Sequence, residues 1–302
     1  MPLAAFAQAL LAALGLAASP TDPVERLTAR EKAALVVVSG LPAPRGVGGV
    51  LVRRWNTEAP RPRRALVFVD QEGGEVRAFP ALPPAPWPSE HATPAGARAA
   101  GRVSGRALAA AGVHVDLAPV LDAPSGPLGG RHFDRPSLAL AFARGLDAGG
   151  VAACAKHFPG LGAALISTDN QLVVPARILP AELAAFRAAV RAGIRCVMTG
   201  HAYYPRFGRV RALAHPETYR MIRALGFDGV IVTDSLSIVR TGPLPVRWAL
   251  RAIRAGADLV LFTSPEHARR AIAALMPLAR RGLLDEHVRR VLALREELVK
   301  KG

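Results

Sequence analysis

The chain has 302 residues, of which 51% are hydrophobic, and this apolar content is enough for a large core and excludes global disorder. At about 100–200 residues per domain the length allows two domains, but an α/β barrel often uses such a length as one. The formal net charge is +16, which raises nucleic acid, an acidic polymer or a membrane surface as a partner.

The basic residues are mostly arginines spread along the chain. Only four of the 39 are Lys and the other 35 are Arg, often as adjacent pairs such as Arg53-Arg54 and Arg289-Arg290. No run of five basic residues occurs, and three Trp and three Tyr offer few rings for stacking on bases. The pattern therefore favours an arginine-biased, solvated surface, and no nucleic-acid partner is expected.

The first 20 residues are Ala-rich and apolar, and they end in Ala17-Ala18-Ser19-Pro20. They resemble the hydrophobic region and cleavage site of an export signal, although no Lys or Arg precedes them. The segment is slightly short for a membrane span, so no stable span is expected. An export signal and an Ala-rich helix stay open as interpretations, and with them an exported or a cytoplasmic location. Residues 21–302 are predicted to form a single domain.

Eight short apolar runs rich in β-branched residues follow one another along the chain. Near-continuous apolar runs of this kind are typical of strands buried on both faces in a parallel sheet. The predicted strands are Leu35–Ser39, Val47–Val52, Ala65–Asp70, Val113–Val120, Val151–Phe158, Ile194–Thr199, Gly229–Asp234 and Ala257–Thr263. The two cysteines, Cys154 and Cys196, lie in two of these runs and are interpreted as small buried residues. They are too few for a disulfide scaffold or a cysteine zinc site.

Helical patterns fill the later intervals, and most of them open with Pro, which is favoured in the first helical turn. The predicted helices are Ser137–Ala148, Pro180–Ala192, Pro216–Leu225, Pro245–Ala255, Pro265–Ala279 and Glu286–Leu298. Strands and helices that alternate in this way predict an α/β fold, and eight strands predict a single (β/α)8 TIM-type barrel.

The first connections are too short for ordinary crossovers. Leu41–Gly46 and Arg54–Arg64 join the first three strands, whereas a parallel crossover normally takes a dozen or more residues and a helix. We therefore predict an irregular barrel with helices trimmed between the first strands, with an antiparallel contact among those strands as the alternative. Pro80–Pro94 is predicted to be a loop.

Polar residues cluster where the predicted strands end, which is the edge at which such barrels carry active sites. Carboxylates, a Lys, an Arg and two His that meet in one pocket indicate hydrolysis or transfer on a polar ligand. For any one of them, a structural ion pair is an equally good interpretation. The strand-end residues are Asp70, Asp122, Arg131, Lys156, His157, His201 and Asp234.

Four of these segments resemble the signature segments of glycoside hydrolase family 3, and more narrowly its single-domain bacterial β-N-acetylhexosaminidases. They are Asp70-Gln-Glu-Gly-Gly, Ala118-Pro-Val-Leu-Asp, Lys156-His-Phe-Pro-Gly and Gly229-Val-Ile-Val-Thr-Asp-Ser-Leu-Ser, in order within about Leu35 to Leu298. The resemblance implies a retaining mechanism in which Asp234 forms a covalent glycosyl-enzyme that water then cleaves. It also implies that Asp70, Arg131, Lys156 and His157 bind sugar hydroxyls, and we add His201 as a substrate-binding candidate.

The segment after Lys156-His157 departs from the family pattern. Members of this type carry a loop with an Asp-Ser-His acid/base pair before a Leu-Pro. Counted back from Pro175, Asp169 takes the Asp position and Gln171 takes the His position. Because an amide does not exchange protons at a useful pKa, Asp169 is the local acid/base candidate.

Two other departures bear on the site. His132 and His201 are remoter acid/base candidates. Glu75-Val76-Arg77 stands where the family commonly has Arg-Val-x-Arg, so an arginine expected near the sugar is shifted or lost.

Two functions follow from these residues. The first is a glycosidase acting on a carbohydrate substrate with a terminal β-linked sugar, with N-acetylglucosamine of cell-wall material as the expected sugar. The second is a degenerate relative, a sugar-binding pseudoenzyme or very slow hydrolase. No metal or other cofactor is expected, because no His, Asp and Glu set has ligand spacing and Gly40–Gly49 lacks the Lys-Ser/Thr of a phosphate loop. The oligomeric state cannot be read from the sequence.

Overall fold

The computed structural model describes residues 22–237 and 245–299, which form ten strands and eight α-helices. The strands are β1 (Val37–Gly40), β2 (Gly49–Leu51), β3 (Leu66–Val69), β4 (Gln71–Gly73), β5 (Val76–Arg77), β6 (Val115–Asp116), β7 (Ala152–Phe158), β8 (Cys196–Thr199), β9 (Val230–Thr233) and β10 (Val260–Phe262). The helices are α1 (Ala29–Leu35), α2 (Pro94–Ala110), α3 (Pro136–Ala148), α4 (Pro180–Arg191), α5 (Pro216–Ala224), α6 (Pro245–Ala255), α7 (Pro265–Arg280) and α8 (Asp285–Val299). The Ala-rich segment 1–20 lies outside the described residues.

Eight of the strands form one parallel sheet in the order β10-β1-β2-β3-β6-β7-β8-β9. The two end strands are joined by a bridge between Val232 and Leu259 and by the hydrogen bond from Thr233 N to Leu259 O at 3.0 Å, which brings the sheet round into a barrel. The predicted (β/α)8 barrel is confirmed, and each of the eight predicted strands is present. All are shorter than predicted, and β1 ends one residue later than predicted.

The first three strands are connected without α-helices, as the short intervals predict. They nevertheless pair in parallel, so the alternative of an antiparallel contact among them is wrong. The chain that enters β2 runs very close to neighbouring segments. A Cβ added at Gly48 would lie 1.9 Å from Leu35 O, and one added at Gly49 would lie 2.5 Å from the Phe68 ring. Glycine therefore lets the chain return to the barrel without the space that a helix needs.

All six predicted helices are present, but the sequence interpretation missed α1 and α2. The buried face of α2 consists mainly of small residues, and a Cβ added at Gly101 would lie 2.2 Å from Phe142 O of α3. This face has almost no large apolar side chains, so it carries little of the periodic signal that reveals a helix. In α1, Thr28 and Glu31 form a capping box that fixes the first turn.

The barrel interior is filled by strand side chains and is covered at one end by α8. Val291, Leu294 and Leu298 of α8 belong to the same cluster as interior strand residues, and Val291 lies against Gly48, just before β2 begins. The N-terminal end of the barrel is therefore covered, and the site is formed at the opposite end.

The two cysteines are buried, as predicted, but they are joined by a disulfide that the sequence interpretation did not include. Cys154 of β7 and Cys196 of β8 are direct partners in the sheet register, with their Cα atoms 4.3 Å apart. Strand register brings them together across 42 residues of sequence, which no local pattern reveals.

Candidate active site

A cavity of about 280 Å³ lies at the C-terminal end of the barrel, just below the usual range for ligand sites, roughly 300–1,000 Å³. It brings together six of the seven predicted site residues, which lie in or after four different strands, β3, β6, β7 and β9. These residues are Asp70, Arg131, Lys156, His157, Asp169 and Asp234. The seventh, His201, is not among the residues that line the cavity.

A charged cluster forms one wall of the cavity around the buried Lys156. Its Nζ lies 2.7 Å from Asp70 Oδ1 and 2.6 Å from Glu72 Oε1. Arg131 makes a two-pronged contact with Glu72, with both nitrogen–oxygen distances at 2.8 Å. Glu72 thus holds both cations, while Asp70, whose side chain is 40% exposed, lines the cavity.

The pKa values of this cluster follow from burial and charge. Burial alone would raise the pKa of Glu72, but Lys156 and Arg131 together lower it to about 2. Burial would lower the pKa of Lys156, yet the carboxylates of Asp70 and Glu72 raise it above its usual value. Glu72 and Lys156 are therefore both ionised at neutral pH, and the wall they form can bind a polar ligand.

Asp122 orients His157 within the cavity wall. Its Oδ2 lies 2.7 Å from His157 Nδ1, and its Oδ1 accepts the backbone N–H of Leu161 at 2.8 Å. With Nδ1 donating to the Asp122 carboxylate, Nε2 is the ring nitrogen that Asp122 does not engage. One carboxylate thus fixes both the imidazole and the start of the following loop.

Asp234 follows β9 and is held by its surroundings in the ionised form. Its Oδ1 accepts the Ser235 N–H at 2.6 Å, and its Oδ2 lies 3.9 Å from His201 Nε2. Burial would raise the pKa of Asp234, but His201, His157, the Ser235 N–H and Lys156 outweigh it, and the pKa lies below its usual value. His201 is itself buried, so it lies behind the carboxylate rather than at the cavity surface.

The loop of residues 161–175 carries Asp169 into the cavity but leaves Gln171 outside it. Ser167 and Thr168 line the cavity with Asp169, whereas Gln171 is exposed and is not a lining residue. The loop begins on Glu182, whose Oε1 accepts the backbone N–H of Gly162 at 2.7 Å and that of Ala123 at 3.0 Å. His132, the other remote acid/base candidate, does not line the cavity either.

Sequence reasoning missed Glu72 as the centre of the charged cluster and Arg53 as a lining residue. Arg53 comes just after β2, so the same strand-end argument extended to that strand would have found it. Arg77 faces its own loop instead, donating to Gly74 O and Pro80 O at 2.7 Å each, and the neighbouring Val76 lines the cavity. The arginine expected near the sugar from the Arg-Val-x-Arg pattern is therefore absent from that position.

Within residues 22–237 and 245–299, no group of three or more His, Cys, Asp or Glu residues is arranged to hold a metal ion. In the same residues, no helix has the length and apolar character needed to cross a membrane.

The family model for the glycosyl hydrolase family 3 N-terminal domain matches residues 51–294. The chain belongs to glycosyl hydrolase family 3. It is 35% identical to the beta-hexosaminidase of Methylococcus capsulatus over 70% of this chain and 70% of that protein. With the beta-hexosaminidase of Thioalkalivibrio sulfidiphilus the identity is 37%, over 71% and 70%. The resemblance inferred from the four signature segments is confirmed.

Solved structures of this family share the barrel. A family 3 beta-N-acetylglucosaminidase from a Paenibacillus species superposes with a TM-score of 0.81 at 27% identity over 91% of this chain. The chain spans only 64% of that enzyme. A beta-N-acetylhexosaminidase from Beutenbergia cavernae gives a TM-score of 0.79 at 29% identity, over 89% of this chain and 99% of that one. The Beutenbergia protein is thus matched over nearly its full length.

Proposed function

We propose that this family 3 protein is a retaining glycosidase that releases a terminal β-linked N-acetylhexosamine through a covalent intermediate on Asp234. The observation that carries the proposal is the meeting, in one small cavity, of an ionised Asp234 and the Asp70–Lys156–Arg131 wall. The sugar is inferred from the relatives, which are beta-hexosaminidases and beta-N-acetylglucosaminidases. Material derived from cell walls is its expected source.

Asp234 is the nucleophile in this proposal. Because its pKa lies below the usual value, it is anionic at neutral pH and available for attack. Its oxygen forms a bond to the anomeric carbon while the bond from that carbon to the leaving-group oxygen breaks. Water then attacks the same carbon and frees Asp234, with net retention of configuration.

Asp169 is the general acid and base. It is the one carboxylate in loop 161–175, and it lines the cavity together with Asp234. In the first step it donates a proton to the leaving oxygen, and in the second it takes a proton from the attacking water. Asp70, Arg131, Lys156 and His157 bind the hydroxyls of the sugar and hold the anomeric carbon against Asp234.

A degenerate, sugar-binding relative is the second candidate, and the position of Gln171 favours it. This amide is exposed and outside the cavity, so Asp169 has no imidazole partner at that place in the loop. Loss of general acid catalysis typically costs about 10²–10⁴-fold in rate. The two candidates therefore differ in how strongly the hydrolysis rate depends on the acidity of the leaving group.

The test compares β-N-acetylglucosaminides with a dinitrophenyl and with an alkyl leaving group. We expect Asp234→Asn to abolish turnover of both, since no nucleophile is left. Asp169→Asn should slow the alkyl substrate by about 10²–10⁴-fold while sparing glycosylation by the dinitrophenyl substrate. Added azide should then speed release and give the β-glycosyl azide. Asp228→Asn, at the opposite end of the barrel, is the matched control and should change neither rate.

Each other outcome decides against part of the proposal. Turnover of only the dinitrophenyl substrate by the wild type, unchanged in Asp169→Asn, would remove Asp169 from the acid/base role. Saturable sugar binding without any turnover would establish the degenerate candidate. Absence of both binding and turnover with the N-acetylglucosaminide, glucoside and xyloside would reject a glycosidase acting on these sugars.

A further inference from the structure

Arg211 is a buried arginine outside the cavity that reaches two parts of the site at once. Its residue exposure is 2%, and within the described part of the chain its guanidinium donates hydrogen bonds to three different residues. Nε donates to Tyr203 Oη at 3.1 Å, Nη1 donates to His201 Nδ1 at 3.0 Å and Nη2 donates to Leu172 O at 2.8 Å. The same group lies over the rings of Tyr203 and Trp248. Such a fully engaged guanidinium has little freedom to move.

The contact with Arg211 fixes the protonation of His201. A guanidinium has donors and no acceptor, so Nδ1 of His201 must accept and carries no proton. The proton of the neutral ring is then on Nε2, which donates to Ser235 O at 3.0 Å. Burial, together with the positive charge of Arg211, holds the pKa of His201 below its usual value despite the nearby Asp234. His201 is therefore a neutral donor behind Asp234, with no nitrogen free to exchange a proton.

The second contact of Arg211 is with the loop that carries Asp169. Leu172, whose carbonyl accepts from Nη2, is three residues beyond Asp169 and next to Gln171. The loop then pairs with Tyr203, whose N–H donates to Val174 O and whose carbonyl accepts from Ala176 N, both at 2.8 Å. Tyr203 also forms an antiparallel β-bridge with Arg211, so it pairs with both the Asp169 loop and Arg211.

We propose that Arg211 is a positioning residue that holds the Asp169 loop and the neutral His201 behind Asp234 in one fixed arrangement. This inference rests on the proposed function, because it assigns the two linked parts as acid/base loop and nucleophile. Arg211 does not line the cavity, so its effect on the reacting atoms is indirect. It acts through His201 on one side and through Leu172 on the other.

The test begins with Arg211→Ala, assayed on the alkyl and dinitrophenyl β-N-acetylglucosaminides. We expect kcat on the alkyl substrate to fall about 10²-fold, the cost typical of a misplacement near 1 Å, with a smaller change in KM. The loss on the dinitrophenyl substrate should be smaller, since that leaving group needs little protonation. Guanidinium ion at millimolar concentration, far below denaturing levels, should restore part of kcat by entering the space left by the side chain.

Arg209→Ala is the matched control, since Arg209 is an exposed arginine in the same loop and should leave kcat unchanged without and with guanidinium. Arg211→Lys keeps the charge but not the fork of donors, so it should recover only part of the lost rate. It also serves as the second variant if Arg211→Ala does not fold.

A readout independent of activity is the ¹⁵N spectrum of the histidine ring nitrogens. In the wild type at pH 7, His201 should show a protonated Nε2 and an unprotonated Nδ1, and in the Arg211 variants this pattern should change to mixed tautomers or a charged ring. An unchanged His201 spectrum, or an activity loss that guanidinium does not rescue and that affects both substrates equally, would overturn the positioning role. If the wild type cleaves no glycoside, the proposed function fails, while the ring spectra still decide whether Arg211 sets the state of His201.

Discussion

At the scale of single residues, the site depends on Glu72, a carboxylate that the cavity barely exposes. Its side chain is 1% exposed and pairs with both Lys156 and Arg131. Removing its charge leaves the two buried cations with Asp70 as the remaining carboxylate, and Asp70 contacts Lys156 alone. A broken buried pair of this kind typically costs about 3–5 kcal/mol. The two cations that line the cavity thus depend on a residue that does not itself line it.

We therefore predict that Glu72→Gln lowers the free energy of unfolding by about 3–5 kcal/mol at pH 7, measured by denaturant titration. The pKa of Glu72 is lowered on folding, from a usual value of 4.5 to about 2. Its stabilisation is thus present above about pH 4.5 and is lost as the pH falls towards 2. The difference between variant and wild type should shrink over that window. The exposed Glu75→Gln is the control, and equal losses in the two variants would contradict the prediction.

Asp116 lies beside the same cluster, but its pKa is raised whereas that of Glu72 is lowered. Its Oδ1 accepts the Gln71 N–H at 3.0 Å, while its buried Oδ2 has no hydrogen-bond partner among the described residues. Burial, reinforced by Asp70 and Glu72, raises its pKa to about 8 against the opposing effects of the Gln71 N–H and Lys156. The carboxyl is therefore neutral at pH 7.

This predicts that Asp116→Asn is more stable than the wild type, increasingly so as the pH rises from about 4 to 8. A raised pKa means that the wild type loses stability over this window, because the unfolded chain ionises while the folded carboxyl does not. The asparagine does not titrate and avoids this loss. Unfolding free energies measured at pH 4, 6 and 8 test it, and a constant difference between the two proteins would contradict it.

At the scale of elements, the loop that carries Asp169 depends on a glycine. Gly160 has φ +127°, which L side chains rarely adopt, and an added Cβ would lie 2.2 Å from the carboxyl carbon of Glu182. That same carboxylate accepts the N–H groups of Gly162 and Ala123. A methyl group at position 160 therefore displaces the anchor of the loop.

Gly160→Ala should lower both the free energy of unfolding and kcat on the alkyl glycoside. Gly226→Ala is a matched control, because Gly226 also has a positive φ, +84°, but an added Cβ there would meet nothing within 4 Å. It should cost about 1–2 kcal/mol of stability and leave kcat unchanged. Denaturant titration and steady-state kinetics on both variants test this. Equal effects on kcat would show that the Glu182 contact does not hold the loop.

The strands and six of the helices could be predicted from the sequence, whereas two helices and several side-chain contacts could not. The strands were predicted because each is a short apolar run. The six helices were predicted from their helical pattern, and Pro marks the predicted first turn in four of them. α2 was missed because its buried face includes Gly101 and Gly105, and such small residues leave almost no apolar periodicity. In the site, Asp70 and Asp234 stand at strand ends inside recognisable motifs. Glu72 and Arg211 have roles set by three-dimensional contacts over 59 and 39 residues of sequence, and no local pattern carries that information.

At the scale of the whole molecule, two interactions join elements that are far apart in the sequence. Asp258, fully buried just before β10, accepts from Arg223 at 2.6 Å and from Arg290 of α8 at 3.2 Å. The disulfide between Cys154 and Cys196 joins β7, which carries Lys156 and His157, to β8. The ion pairs of Asp258 join two helices to the barrel next to β10. The disulfide fixes two adjacent strands covalently.

The disulfide predicts a redox-dependent stability. It closes a sequence separation of 42 residues, for which the chain-entropy model gives about 4 kcal/mol, and measured values typically lie at about 2–4 kcal/mol. The double variant Cys154→Ala/Cys196→Ala should therefore unfold at a free energy about 2–4 kcal/mol below that of the oxidised wild type. A reductant in the unfolding titration should bring the wild type down towards the variant and leave the variant unchanged. Thiol titration of the unfolded, unreduced wild type should find no free thiol. Two free thiols after purification under oxidising conditions would show that the strands pair without the covalent bond.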